Sequence, residues 1–290
     1  MTLTVITIAK EPLPILHRFL DWHLGQGADR IILFLDDPED DALTAFADEP
    51  RIDMRPCTPG FWKTLGLSPD KRFTRRQNAA LTAGYHEVSE GWVLILDADE
   101  LMWFPGMTLA EAIRTFPADI PSVRVATAEQ VFLDDGTEGL RLPIPREAVN
   151  RLYGADADLF RGRFGLVGHP EGKSFHRAGI PGASFKMHWG FDSAGDRLEE
   201  LTLGPRDGGH LVHYGAPTYE NWRAKMEWRT GSWGFTSPVK ETLRDAGDGA
   251  DAEAAYRALY DKFYRLDSDM AARLEAEGGL LRAGPPARGI

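Results

Sequence analysis

The chain has 290 residues, a formal net charge of −11 and a single cysteine, Cys57. That length buries a sizeable core as one large α/β domain or two small ones. The acidity excludes an overall electrostatic footprint for nucleic acid or an anionic membrane, leaving only local basic clusters. One cysteine excludes an internal disulfide, a redox pair and a cysteine-rich zinc site.

Met1 to Leu16 carries no basic leader and breaks its apolar run at Lys10-Glu11-Pro12. No apolar run approaches the ~20 residues of a membrane-spanning helix. A cytoplasmic protein, soluble or peripheral to the inner face of the membrane, is expected. Leu3 to Ile8 is short, apolar and β-branched, and Pro12 to Leu24 repeats leucine at helical spacing, so strand, turn and helix follow one another. Arg30 to Leu35 (RIILFL) predicts a buried strand closed by Asp36-Asp37-Pro38, Asp41 to Ala47 a short helix, Ile52 to Arg55 a weaker strand and Arg75 to Val88 a helix. Trp92 to Leu96 (WVLIL) is a continuous apolar strand running straight into Asp97. Apolar strands alternating with helices indicate a mostly parallel sheet with helices on both faces.

Beyond Pro105, Leu109 to Phe116 reads as helix and Ser122 to Ala126 as strand, and Glu129 to Arg177 is a Gly-, Arg- and Asp-rich stretch with little periodicity. This mixed half is expected to bind substrate. Short β segments at Ser184 to Trp189 and His210 to Tyr214 and a helix from Pro217 to Thr230 complete a domain over residues 1–235. Residues 236–253 read as a charged linker, 254–277 as a C-terminal helix and 278–290 as a disordered tail. The helix carries Tyr256, Leu259, Phe263 and Leu266 on one face, which needs a partner: the domain before it, or a second copy in a homodimer.

In open α/β sheets ligands bind outside the carboxyl ends of the strands. Lys10-Glu11, Asp36-Asp37 and Asp97-Ala98-Asp99-Glu100 all fall there and form one candidate site. In extended backbone Asp97 and Asp99 point to the same side and can converge on one cation, Ala98 facing away. Hard oxygens suit Mg2+ or Mn2+, which take one or two carboxylates and fill the remaining positions from phosphate and water, so a diphosphate ligand is implied.

Ile8-Ala9-Lys10-Glu11, the helix ending Asp21-Trp22-His23-Leu24-Gly25-Gln26-Gly27-Ala28, RIILFLDD, Arg76-Gln77-Asn78 and WVLILDADELMWF follow in an order that resembles family 2-type glycosyltransferases of the GT-A fold. The most similar subgroup has a Lys-Asn-Glu-like turn and an L-D-x-D-E block; here Glu11-Pro12 stands where Asn-Glu is usual. The likeness covers about residues 1–105 and resumes at Leu211-Val212-His213-Tyr214, with Trp222, Lys225 and Arg229 downstream. It implies a metal-dependent hexosyltransferase-like enzyme, inverting, that moves sugar from a nucleotide-sugar, a UDP-sugar favoured, to a saccharide or glycolipid hydroxyl.

By the same resemblance Lys10, Glu11 and Asp36 line the nucleoside pocket, and Arg76, Gln77, Asp97 and Lys225 meet phosphate or sugar. Asp97, Asp99 and His213 are the metal ligands, with His188 the rival histidine. Asp134 and Asp135, with Glu129 behind them, are candidates for the base that takes the acceptor proton. Trp103 is favoured among the tryptophans for stacking on a sugar ring. A nucleotidyltransferase would also place acids at a strand end, but the first turn, Lys10-Glu11-Pro12-Leu13-Pro14, has no phosphate-binding glycine, which counts against that enzyme and against a Rossmann dehydrogenase. A non-catalytic carbohydrate- or nucleotide-binding protein on the same fold is the remaining alternative.

Overall fold

The computed structural model describes residues 1–216, 218–229, 236–245 and 250–285. It is a mixed α/β structure of open sheets flanked by helices, in two compact units: Met1–Val125 with Gly172–Leu211, and Ala126–Glu171 with Val212–Pro286. The strands in chain order are β1 (Leu3–Ala9), β2 (Arg30–Leu35), β3 (Ile52–Pro56), β4 (Trp92–Ile95), β5 (Glu100–Trp103), β6 (Ser122–Val125), β7 (Thr127–Leu133), β8 (Glu138–Arg141), β9 (Lys173–Arg177), β10 (Ser184–Lys186), β11 (Trp189–Phe191), β12 (Glu200–Leu203), β13 (His210–His213), β14 (Arg265–Leu266) and β15 (Leu280–Leu281).

The first unit is built on a seven-stranded sheet in the order β12-β6-β9-β4-β1-β2-β3. Strands β1 to β4 pair in parallel, as their unbroken apolar runs require, and every residue of β1 and β4 is buried. The sheet departs from a wholly parallel one at β9, which lies antiparallel between β4 and β6. Helix Phe73–His86 covers one face, its Gly84 against Ile6 and Phe34, where an added Cβ would come within 3.0 Å of the Phe34 ring. Helix Leu13–Gly25 is tied to β5: Trp22 Nε1 donates to the Met102 carbonyl at 2.9 Å, and His23 Nε2, its ring fixed by Nδ1 on the Phe19 carbonyl, accepts from the Met102 amide at 3.5 Å. Burial holds His23 neutral, its pKa lowered to about 4. Thus the Trp-His pair of the first helix anchors the strand that leaves the acidic segment.

The second unit pairs β15, β8 and β7 in that order, with β14 parallel to β7. Three expectations change here. The stretch read as a linker contains helix Ser237–Asp245, because Val239 and Leu243, four apart, bury in this unit's core. The single C-terminal helix is two, Ala250–Tyr264 and Ser268–Ala276. The break comes where Leu266 pairs with Leu133 in β7 and the Asp267 carboxylate caps the next helix by accepting from Met270 N at 2.7 Å. The tail is ordered as far as β15, whose leucines pair with Leu140 and Arg141; residues 286–290 lie outside the described residues. Leu259, Phe263 and Leu266 are buried within the unit beside Trp222 and Leu274, which places the apolar stripe inside the unit rather than on a surface for a second copy.

Candidate functional site

Strand β4 ends at Ile95, and the acidic segment that follows is a tight turn, the Glu100 amide donating to the Asp97 carbonyl at 3.1 Å. The alternation expected of extended backbone therefore does not hold for Asp97 and Asp99. What faces Asp97 instead is a lysine. Lys173 Nζ, from the neighbouring antiparallel strand β9, lies 2.8 Å from Asp97 Oδ2, 3.5 Å from Glu100 Oε2 and 3.2 Å from the Met187 carbonyl. Gln77, one turn into helix Phe73–His86, donates to the other Asp97 oxygen at 2.8 Å, and Glu100 Oε2 accepts from the Asp97 amide at 2.9 Å.

Burial opposes the charged form of Asp97, but Lys173, and more weakly His188, favour the carboxylate and hold its pKa below the ordinary value. For Glu100, burial wins over Lys173, and with Asp97 and Asp99 adding repulsion the pKa rises to about 8. Lys173 stays charged: burial disfavours the ammonium, and the three acids around it more than offset that.

Arg76 forms an ion pair with Asp36 at the end of β2, with Nη2 3.0 Å from Oδ2, and its guanidinium lies 5.2 Å from the centre of the buried Trp62 ring. Asp36 therefore fixes Arg76 instead of standing open to a base or ribose. Lys10 Nζ is 3.4 Å from Asp37 Oδ2 in an exposed pair, and Glu11 is half-buried beside it in sequence. Arg76 and Gln77, consecutive on helix Phe73–His86, thus bond Asp36 after β2 and Asp97 after β4 respectively, and Glu100 closes back on the Asp97 amide.

Of the two histidines, His188 lies in the same unit as Asp97, its Nδ1 held by the Gly172 carbonyl at 3.0 Å. His213 belongs to the second unit, where Gly168 and Gly215 close on its ring: a Cβ on Gly168 would lie 3.0 Å from His213 Nδ1 and 2.7 Å from Glu129 Oε1. Glu129 is buried, with Oε2 2.9 Å from Arg141 Nη2 and 2.8 Å from the Val167 amide. Burial disfavours its charge, yet Arg141, His213 and the two amides of Val167 and Gly168 hold its pKa below the ordinary range. Among the described residues, no three His, Cys, Asp or Glu side chains are grouped to hold a metal ion.

The remaining candidates have structural partners. Asp134 accepts from the amide of Ser268, at the start of helix Ser268–Ala276, at 3.0 Å and from its hydroxyl, and Asp135 accepts from the Thr137 amide of its own turn at 2.8 Å. Trp103 is buried, its ring 5.7 Å from that of His210, rather than offered to a sugar. Lys225 Nζ lies 3.4 Å from the Gly215 carbonyl. Lys173 was not among the residues singled out from sequence. Its only signal is a lysine heading a short run, Lys173-Ser174-Phe175-His176-Arg177, inside a stretch without periodicity.

No protein-family model matches the chain, and no curated protein matches it. Among solved structures it is similar to the mannosyltransferase PcManGT from Pyrobaculum calidifontis in complex with GDP-Man and Mn2+, at 15% identity, 98% of this chain, 76% of that one and a TM-score of 0.41. It is also similar to HddC from Yersinia pseudotuberculosis, at 12% identity over 78% of this chain and 99% of that one, TM-score 0.41. A third likeness is to a 4-diphosphocytidyl-2C-methyl-D-erythritol synthase, at 13% identity over 45% and 63% of the two chains, TM-score 0.30. These are distant likenesses of α/β chains, and the functional reading rests on the site's own residues.

Proposed function

We propose that the chain is a glycosyltransferase that binds a nucleoside-diphosphate sugar at the acidic turn and passes the sugar to a saccharide or glycolipid hydroxyl. The observation that carries this reading is the turn itself. Three carboxyl groups, Asp97, Asp99 and Glu100, follow the parallel strand β4 where an α/β sheet receives ligands; Gln77 and Lys173 brace Asp97, and Glu100 bonds the Asp97 amide. Buried acids so arranged cost stability, which a binding role explains better than a solvated loop does.

Two carboxylates completed by phosphate oxygens suit Mn2+ or Mg2+. Asp99 would hold the ion, with Asp97, whose two oxygens already accept from Gln77 and Lys173, contributing only a remaining lone pair. His188, rather than His213, is carried forward as the histidine of this site. The ion would supply a Lewis acid for the charge that builds on the leaving diphosphate. Arg76, held by Asp36 and stacked over Trp62, is preorganised to meet phosphate. Gln77 and Lys173 keep Asp97 in one rotamer. No base is assigned, because Asp134 holds Ser268 and Asp135 holds Thr137.

A panel of nucleotide-sugars, incubated with Mn2+ and simple saccharide acceptors, tests the reading. Release of nucleoside diphosphate with one donor, lost in Asp99→Asn, is expected; equal release by that variant, or none with any donor, contradicts it.

A further inference from the structure

The segment before the site carries charge that the rest of the chain does not. Between Lys63 and Arg76 the sequence places five cations, Lys63, Lys71, Arg72, Arg75 and Arg76, against one acid, Asp70, in a protein whose net charge is −11. Arg76 is committed to Asp36. Lys63, Lys71, Arg72 and Arg75 are exposed, and none of them forms an ion pair among the described residues. Phe73, in their midst, is 40% exposed, one of few large apolar side chains so placed. Half-buried Phe61, Leu65 and Leu67 continue apolar surface from the same segment into the unit's core. The Arg76 guanidinium, 5.2 Å from the Trp62 ring centre and 5.7 Å from that of Phe73, holds the two parts of the segment together.

Helix stability does not explain this composition. Arg72, Arg75 and Arg76 surround the first turn of helix Phe73–His86, which has no acidic residue there and no side-chain cap. Cations at that end oppose the helix dipole, whereas acids would favour it. An exposed aromatic ring ringed by unpaired cations is instead the composition of a surface that inserts an apolar side chain at the lipid interface while its cations meet acidic headgroups.

We infer that the Lys63–Arg76 segment docks the protein on a bilayer containing acidic phospholipid, with Phe73 as the inserted side chain and Lys71, Arg72 and Arg75 as the headgroup contacts. The contact is peripheral, since no helix among the described residues is long and apolar enough to span a membrane. Neither the acidic turn nor its ligand enters this inference, so it stands or falls independently of the proposed activity.

Cosedimentation of the full chain with vesicles tests it. At low salt the protein is expected to partition onto phosphatidylcholine vesicles containing phosphatidylglycerol, to stay in solution with phosphatidylcholine alone, and to be released by added salt. Lys71→Gln/Arg72→Gln/Arg75→Gln should lower the partition coefficient about a hundredfold, taking the usual contribution of one basic residue near an acidic surface. Phe73→Ser should lower it about tenfold, with the melting temperature of each variant measured to show that it folds. No partition of the wild type onto acidic vesicles, equal partition of the triple variant, or equal partition onto neutral vesicles would overturn the inference. Binding to heparin without binding to acidic vesicles would overturn it too, and assign the patch to a soluble polyanion.

Discussion

Replacing Lys173 by Met removes the one cation inside the acidic turn while nearly conserving side-chain volume. The ammonium is 2% exposed and touches Asp97 Oδ2 at 2.8 Å, Met187 O at 3.2 Å and Glu100 Oε2 at 3.5 Å. Breaking a buried pair by removing one member costs ~3–5 kcal/mol, since the other charge is left uncompensated. The Asp97 side chain keeps 32% of its exposure, and water reaching it discounts that figure to about 2–3 kcal/mol. If the loss comes from the orphaned carboxylate, Asp97→Asn in the same chain should recover most of it, so the double variant will be more stable than the sum of the single effects by more than ~1 kcal/mol. Urea unfolding of wild type, both single variants and the double variant closes the cycle. Additivity within ~0.5 kcal/mol would refute the claim that Lys173 neutralises Asp97, as would a Lys173→Met chain as stable as wild type.

Gly168→Ala should cost about 1–3 kcal/mol in urea unfolding, because its Cβ would lie 2.7 Å from Glu129 Oε1; a neutral effect would show that the carboxylate can move away freely. His23 and His176 are held neutral by burial, with pKa values lowered to about 4 and about 3. A lowered histidine pKa gives stability that is complete above the unfolded value of ~6.5 and is lost as pH falls through the window toward the folded value, about 2 kcal/mol for each residue by pH 5. A denaturation midpoint that stays constant from pH 8 to pH 5 would contradict this. His188→Ala, which removes the imidazole that favours the Asp97 carboxylate, should weaken Mn2+-dependent nucleotide binding more than His213→Ala does, measured by calorimetry; the reverse order would contradict the choice of His188.

The strands and the acidic turn were legible because their signal is local. Trp92 to Leu96 is an unbroken apolar run, and the carboxylates come next in the chain, so position alone locates the ligand end of the sheet. The partners of those carboxylates were not legible. Lys173 reaches Asp97 across 76 residues through an antiparallel strand inserted between β4 and β6, and a four- or five-residue strand with a lysine at its head has no periodicity to reveal it. For the same reason Asp36 read as open to ligand, although Arg76, 40 residues away, takes both its oxygens.

In the second unit, charge masked structure. Ser237–Asp245 has few apolar residues, and only the four-residue spacing of Val239 and Leu243 marks it as a helix. The turn that follows β4 was misread as extended because Asp97-Ala98-Asp99-Glu100 has no glycine or proline and its aspartates suit a turn and a ligand site alike; Asp97 and Glu100 close it through the backbone.

The central claim is that the acidic turn binds a nucleoside diphosphate together with a divalent cation. Calorimetric titration of UDP and GDP into the full chain, with Mn2+ and with chelator, on wild type and Asp99→Asn, tests it most directly. The account predicts saturable binding of one nucleotide to the wild type in Mn2+, abolished by chelator and weakened at least a hundredfold in Asp99→Asn. Binding of equal affinity in all four conditions, or no binding of either nucleotide to a folded wild type, would contradict it.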